Sequence, residues 1–162
     1  MQIIVPKELR HPLFFPNSIV DTKGERVFFL PELLYFTMDS ADTPWLCSEI
    51  QIPLIVKKWT EIKDELISVL KARNKEIKLY MLKGIELYFS LLFWSNNVPV
   101  RLSEWQKHVE FLVCKSVNVE ERLSFILKKC NSYPAYIQLS ELFIEQQKHF
   151  AKKIAIEKYK QK

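Results

Sequence analysis

The chain has 162 residues, of which 48% are hydrophobic and 13% aromatic, and a net charge of +5. Its length supports one folded core that removes about two thirds of the unfolded surface from water, and its apolar content excludes a disordered chain. The charge is not spread evenly: residues 148–162 hold Lys148, Lys152, Lys153, Lys158, Lys160 and Lys162 against Glu157 alone, which leaves residues 1–147 with no net charge.

Proline divides the chain. Six of the eight prolines fall in residues 1–53, and each removes a backbone donor and disfavours helix at the residue before it. Residues 1–53 are therefore expected as an irregular N-terminal segment packed on a helical bundle formed by residues 54–162, the two making one structural domain. Short helices are expected at 6–10 and 31–38, each with proline at its first position. Residues 19–28 suggest a short hairpin around Gly24.

Helical periodicity begins after Pro53. In 54–73, Ile55, Trp59, Ile62, Leu66 and Val69 fall on one face and Lys57, Glu61, Asp64 and Lys71 on the other. The polar run 71–76 ends that helix. A second spans about 76–95 and has only Glu86 as a charge beyond Gly84, so it is expected at the centre, covered on most sides. Gly84 within it marks a close helix–helix approach. The helix stops at Phe93-Trp94-Ser95-Asn96-Asn97, where Trp94 is expected to turn inward and an Asn to take the left-handed geometry of a C-terminal cap.

Three more helices carry start signals. Ser103 with Gln106 and Asn118 with Glu121 read as capping boxes, and Ser132 with Pro134 opens a long final helix bearing Tyr136, Leu139, Phe143, Phe150 and Ile154 on one face. The fold class is all-α, a bundle of about five main helices with a proline-rich, partly irregular N-terminal third.

Familiar site chemistries find no purchase. With two glycines in the chain, no phosphate-cradling loop is present. His11, His108 and His149 are scattered, and no paired Cys or His spacing suits a metal; Glu104 and His108 read as an exposed helical pair. Cys130 reads as small core filling, Cys114 lies six residues from His108 and so on a different helix face, and Cys47 reads as a buried or idle thiol in a loop beside Trp45, which is expected to anchor the N-terminal segment. Asp39 and Asp42 read as turn residues and Glu120 and Glu121 as first-turn charges. No catalytic, metal-binding or cofactor-binding residue is therefore expected. The three unpaired cysteines, the N-terminus without a charged start and apolar run, and the shortness of the longest apolar run (87–94) point to a cytoplasmic chain with no membrane partner.

The segment 92–100, Leu-Phe-Trp-Ser-Asn-Asn-Val-Pro-Val, together with Gly84, 117–126, 133–143, Pro44-Trp45 and Trp59, resembles the YpoC-like family of small bacterial proteins over about residues 44–155. The resemblance brings no activity, cofactor or catalytic residue. The family's genes often neighbour replication and DNA-repair genes, which implies a link to DNA metabolism. The leading expectation is a non-enzymatic protein that binds another macromolecule, a protein first, with Lys148, Lys152, Lys153, Lys158, Lys160 and Lys162 as partner or phosphate contacts. The alternative is nucleic-acid association through that basic helix end, which counterion release would drive. A third reading is an enzyme of unrecognised type with Asn97, Arg101 and Trp105 around one pocket.

Overall fold

Residues 1–23 and 27–161 are described in the computed structural model. The N-terminal third is a string of short pieces, as its prolines require. Strand β1 (Gln2–Ile4) pairs antiparallel with β2 (Ile19–Asp21), Ile3 lying opposite Val20. Among the described residues of the hairpin expected within 19–28, Ile19–Asp21 pairs back to the N-terminus. That register puts Ile3, which is buried, beside Val20, which packs on the core, and a slip of one residue would turn the side chains of the slipped strand to the other face. Gly24 lies outside the described residues. The helix expected at 6–10 shrinks to one 3-10 turn, Lys7–Leu9.

Helix α1 (Leu30–Met38) has Pro31 in its first turn, as expected. Before it Phe29 sits in left-handed geometry at φ 52°, unusual for a bulky residue. The ring is held by edge-on contacts with Phe14 and Phe89. A 3-10 turn, Pro44–Cys47, buries Trp45 against Tyr35 and Trp94 and runs straight into α2 (Ser48–Lys71). Helix α2 therefore starts before Pro53 rather than after it. Pro53 is exposed in the second turn, where its missing N–H leaves one carbonyl to water, and the buried Ile52, Ile55 and Trp59 favour an unbroken helix.

Helix α3 (Ile77–Trp94) is buried at every position from Leu87 to its end, the mark of a helix enclosed on all sides. Helices α4 (Trp105–Glu110), α5 (Val119–Lys128) and α6 (Tyr133–Lys160) follow. Both α2 and α6 pack on α3, and α5 packs on α6. There Arg122 clamps Glu145 with both terminal guanidinium nitrogens, which raises the Arg122 pKa and lowers that of Glu145. At the centre the Trp59 and Phe143 rings stack 4.2 Å apart, with Tyr88 edge-on to Phe143. The whole is predominantly helical with one tiny sheet.

Of the three start signals, only Ser132 caps its helix, its Oγ accepting from the Ala135 amide at 3.3 Å. The Ser103 box does not form: the Leu102 and Ser103 amides donate instead to the Glu8 carbonyl, and Glu104 turns left-handed before a short helix. Asn118 is left-handed as well, so its side chain is misdirected for capping, which needs extended backbone. Glu104 pairs with Lys107 at 3.0 Å rather than with His108. No helix among the described residues is long and apolar enough to cross a membrane.

Candidate interaction surface

The turn after α3 organises the end of the molecule where the lysines lie. Its first requirement is to close the helix. The Asn97 amide donates to Trp94 O and the Val98 amide to Phe93 O, with Asn97 at φ 60°; this is the Schellman pattern, and Asn tolerates the left-handed position that most side chains resist. The two Asn side chains then reach in different directions. Asn97 Nδ2 donates to Trp45 O and Ser48 Oγ, fastening the start of α2. Asn96 Nδ2 donates to Leu92 O and Cys114 O, while its Oδ1 accepts from the Val113 and Cys114 amides.

The loop between α4 and α5 is thereby held rigid from beneath, and Gln146 of α6 adds a second tie to Cys114 O at 2.9 Å. What the loop presents outward is apolar: Phe111 is 83% exposed, Val113 94% and Val117 76%. Loop backbone that is this well fixed displays such side chains at little further entropic cost when they are covered.

The C-terminal turns of α6 run beside this loop. A groove of about 620 Å³ has Val113 and Ile156 among its apolar walls and His149, Lys152 and Lys160 among its polar ones, with Glu157 as its one acidic side chain. The lysines divide by role. Lys153 is half-buried and donates to Ser95 O and to Asn97 Oδ1 at 2.8 Å, so it places a cation on the carbonyl end of α3. Lys158 lies 3.8 Å from Glu49 of α2. Lys148, Lys152 and Lys160 are exposed with no ion pair among the described residues. Lys162 lies outside the described residues. Burial pushes the Cys114 thiol above its usual pKa despite the nearby Lys153, so it is a poor nucleophile.

Asn97, Arg101 and Trp105 do not meet around one pocket. Asn97 is the capping residue, Arg101 is exposed and lies over the Phe36 ring at 5.4 Å, and Trp105 is packed in the core. The perturbed acid in a concave site is elsewhere. Glu32 of α1 is fully buried, and its Oε2 accepts from the Trp94 indole N–H at 2.7 Å and from the Val100 amide at 3.0 Å. Burial, aided by Glu86 and opposed by those two donors and by the Glu32 backbone amide, lifts its pKa to about 7. Sequence reasoning passed over Glu32 because a glutamate after Pro31 in a first helical turn reads as an ordinary dipole partner. The available signal was its setting, the apolar run Val27-Phe28-Phe29-Leu30-Pro31 before it and Leu33-Leu34 after it.

A family model described as YpoC-like protein matches residues 49–158. The Uncharacterized protein YpoC of Bacillus subtilis (strain 168) is 38% identical over 113 residues, covering 68% of this chain and 69% of that protein. No solved structure gives a significant match.

Proposed function

This chain belongs to the YpoC-like family, and we propose that it works as a non-enzymatic, cytoplasmic interaction protein whose docking face is the α4–α5 loop together with the C-terminal turns of α6. The observation that carries this reading is the juxtaposition in one groove of Val113, 94% exposed, with Lys152 and Lys160. Exposed apolar groups gathered beside unpaired cations mark a contact surface rather than solvated helix. The matching occupant is an acidic, amphipathic segment of a partner protein: its apolar side chains cover Val113 and Ile156 while its carboxylates meet the lysines.

The test is photo-crosslinking in cells from residue 113, with wild type and Lys152→Glu/Lys160→Glu compared. The expected result is one cross-linked protein, joined through an acidic segment and lost in the double variant. A crosslink pattern unchanged by the charge reversal sinks the reading. A gel shift with duplex DNA at two salt concentrations separates the alternative: binding that weakens steeply with salt and vanishes in the double variant would put nucleic acid on this face instead. Charge reversal suits this test better than removing residues 148–162, because Phe150 is core and Lys153 closes α3.

A further inference from the structure

The side of α6 that faces away from the core is not the polar face a surface helix ordinarily shows. Tyr136, Leu139, Phe143 and Phe150 turn inward and are buried. On the opposite side, the helical repeat aligns Tyr133, Ile137, Ile144, Ala151 and Ala155 in one stripe, all of them exposed. Tyr133 is 60% exposed and Ile144 50%, so neither is a core residue showing an edge. Two charges, Glu141 and Lys148, interrupt the stripe, which runs about 33 Å along the helix. The docking face at the α4–α5 loop does not use it: His149, Ile156 and Lys160 of that groove lie about a third of a turn round α6.

The stripe is complementary to itself. Its N-terminal half carries the large residues, its C-terminal half the small ones, and Glu141 precedes Lys148 by two turns. When two copies of α6 run antiparallel about a two-fold axis beside Ile144, that residue meets its own counterpart. Ile137 then lies over Ala151 of the second copy, and Tyr133 over Ala155. The same axis sets Glu141 against Lys148 of the second copy, twice. In a parallel pairing each charge would face its own kind, large would meet large, and a gap would open between the alanines. Flanking charges of this sort set the orientation of paired helices. Glu141 is available for the contact: it reaches Arg122 only at 3.9 Å with its side chain 55% exposed, and Arg122 is already clamped on Glu145. Lys148 is exposed as well. At the other edge of the stripe Ser140 and Gln147 are uncharged, so the pairing brings no like charges together there.

We infer that a second copy of this chain docks on this face, forming an antiparallel two-fold dimer through α6 with two Glu141–Lys148 ion pairs across it. Both copies use the same patch, so assembly stops at two. One helix pair is a small interface, at the low end of the roughly 1,200–2,000 Å² that specific complexes bury, and monomer and dimer are expected to exchange in the micromolar range.

The test is sedimentation equilibrium on the full chain from low micromolar to millimolar concentration. Wild type is expected to pass from the 19.3 kDa monomer to twice that mass and no further. Ile144→Glu, an exposed position on the axis, should weaken the dimer at least tenfold. Glu141→Lys and Lys148→Glu each set like charges together and should weaken it several-fold. The double variant Glu141→Lys/Lys148→Glu should return it to within about twofold of wild type. That rescue is specific to the antiparallel register, because a parallel or unrelated interface does not set these two side chains against each other. A double variant as weak as the singles, or a wild-type dimer in Ile144→Glu, would overturn the inference. So would a 19.3 kDa mass at every concentration, which would leave the stripe to a different chain.

Discussion

At Gly84 of α3, side chains of both α2 and α6 press against the helix backbone. A Cβ built there would lie 2.7 Å from Trp59 Cζ3 and 3.2 Å from Leu139 Cδ2. Leu139 has a flexible end that can give way, but the Trp59 ring is stacked on Phe143 and cannot retreat. Overpacking of this kind costs about 1–3 kcal/mol, against roughly 1 kcal/mol gained from alanine's better helix propensity. Gly84→Ala is therefore expected to destabilise by a net amount on the order of 1 kcal/mol in urea unfolding. Glu32 makes a second prediction at this scale. Its carboxyl keeps its proton in the fold up to about pH 7 but loses it near 4.5 when unfolded. Between those values the folded state binds more protons, so stability falls as pH rises, by up to about 3 kcal/mol across the window. Subtracting the stability–pH curve of Glu32→Gln from that of wild type should isolate this slope; parallel curves from pH 4.5 to 7 would refute it.

At the scale of elements, the legible parts were those written in periodicity and in single strong residues. The apolar stripes gave α2, α3 and α6, and the double Asn gave the stop after Trp94, because a left-handed cap needs one of very few residue types. Caps written only as residue pairs were less legible. Ser103 and Asn118 have the right partners three residues on, yet Ser103 lost its role to a long-range contact with Glu8 and Asn118 to its own left-handed backbone. The pairing of β1 with β2 and the burial of Glu32 depend on distant contacts that no local pattern encodes. The Asn97 cap can be tested in parts. Asn97→Gly and Asn97→Ala both lose the hydrogen bonds to Trp45, Ser48 and Lys153, but only Ala suffers at φ 60°. Chemical denaturation should find both less stable than wild type, and Ala worse than Gly by roughly 1 kcal/mol. Equal losses would mean that the backbone relaxes out of the left-handed region.

Across the whole molecule, the basic end that the sequence presents as one block is two populations of lysine. The block was legible as charge; its division was not, because Lys153 becomes structural only where α6 passes the end of α3, 58 residues away in sequence. Lys153→Ala removes a half-buried cation from the last carbonyls of a helix, together with two hydrogen bonds, and should cost about 1 kcal/mol of stability. Lys152→Ala, one residue earlier and fully on the surface, should stay within about 0.5 kcal/mol of wild type. The same two substitutions should rank the other way for partner binding, where Lys152 faces the groove unpaired and Lys153 already has its oxygens. Measuring thermal unfolding and crosslinking yield from residue 113 on both variants puts the division to a direct check. If Lys153→Ala proves as stable as wild type while both variants lose crosslinking equally, the lysines act as one undifferentiated cationic patch, and the assignment of Lys153 to the fold fails.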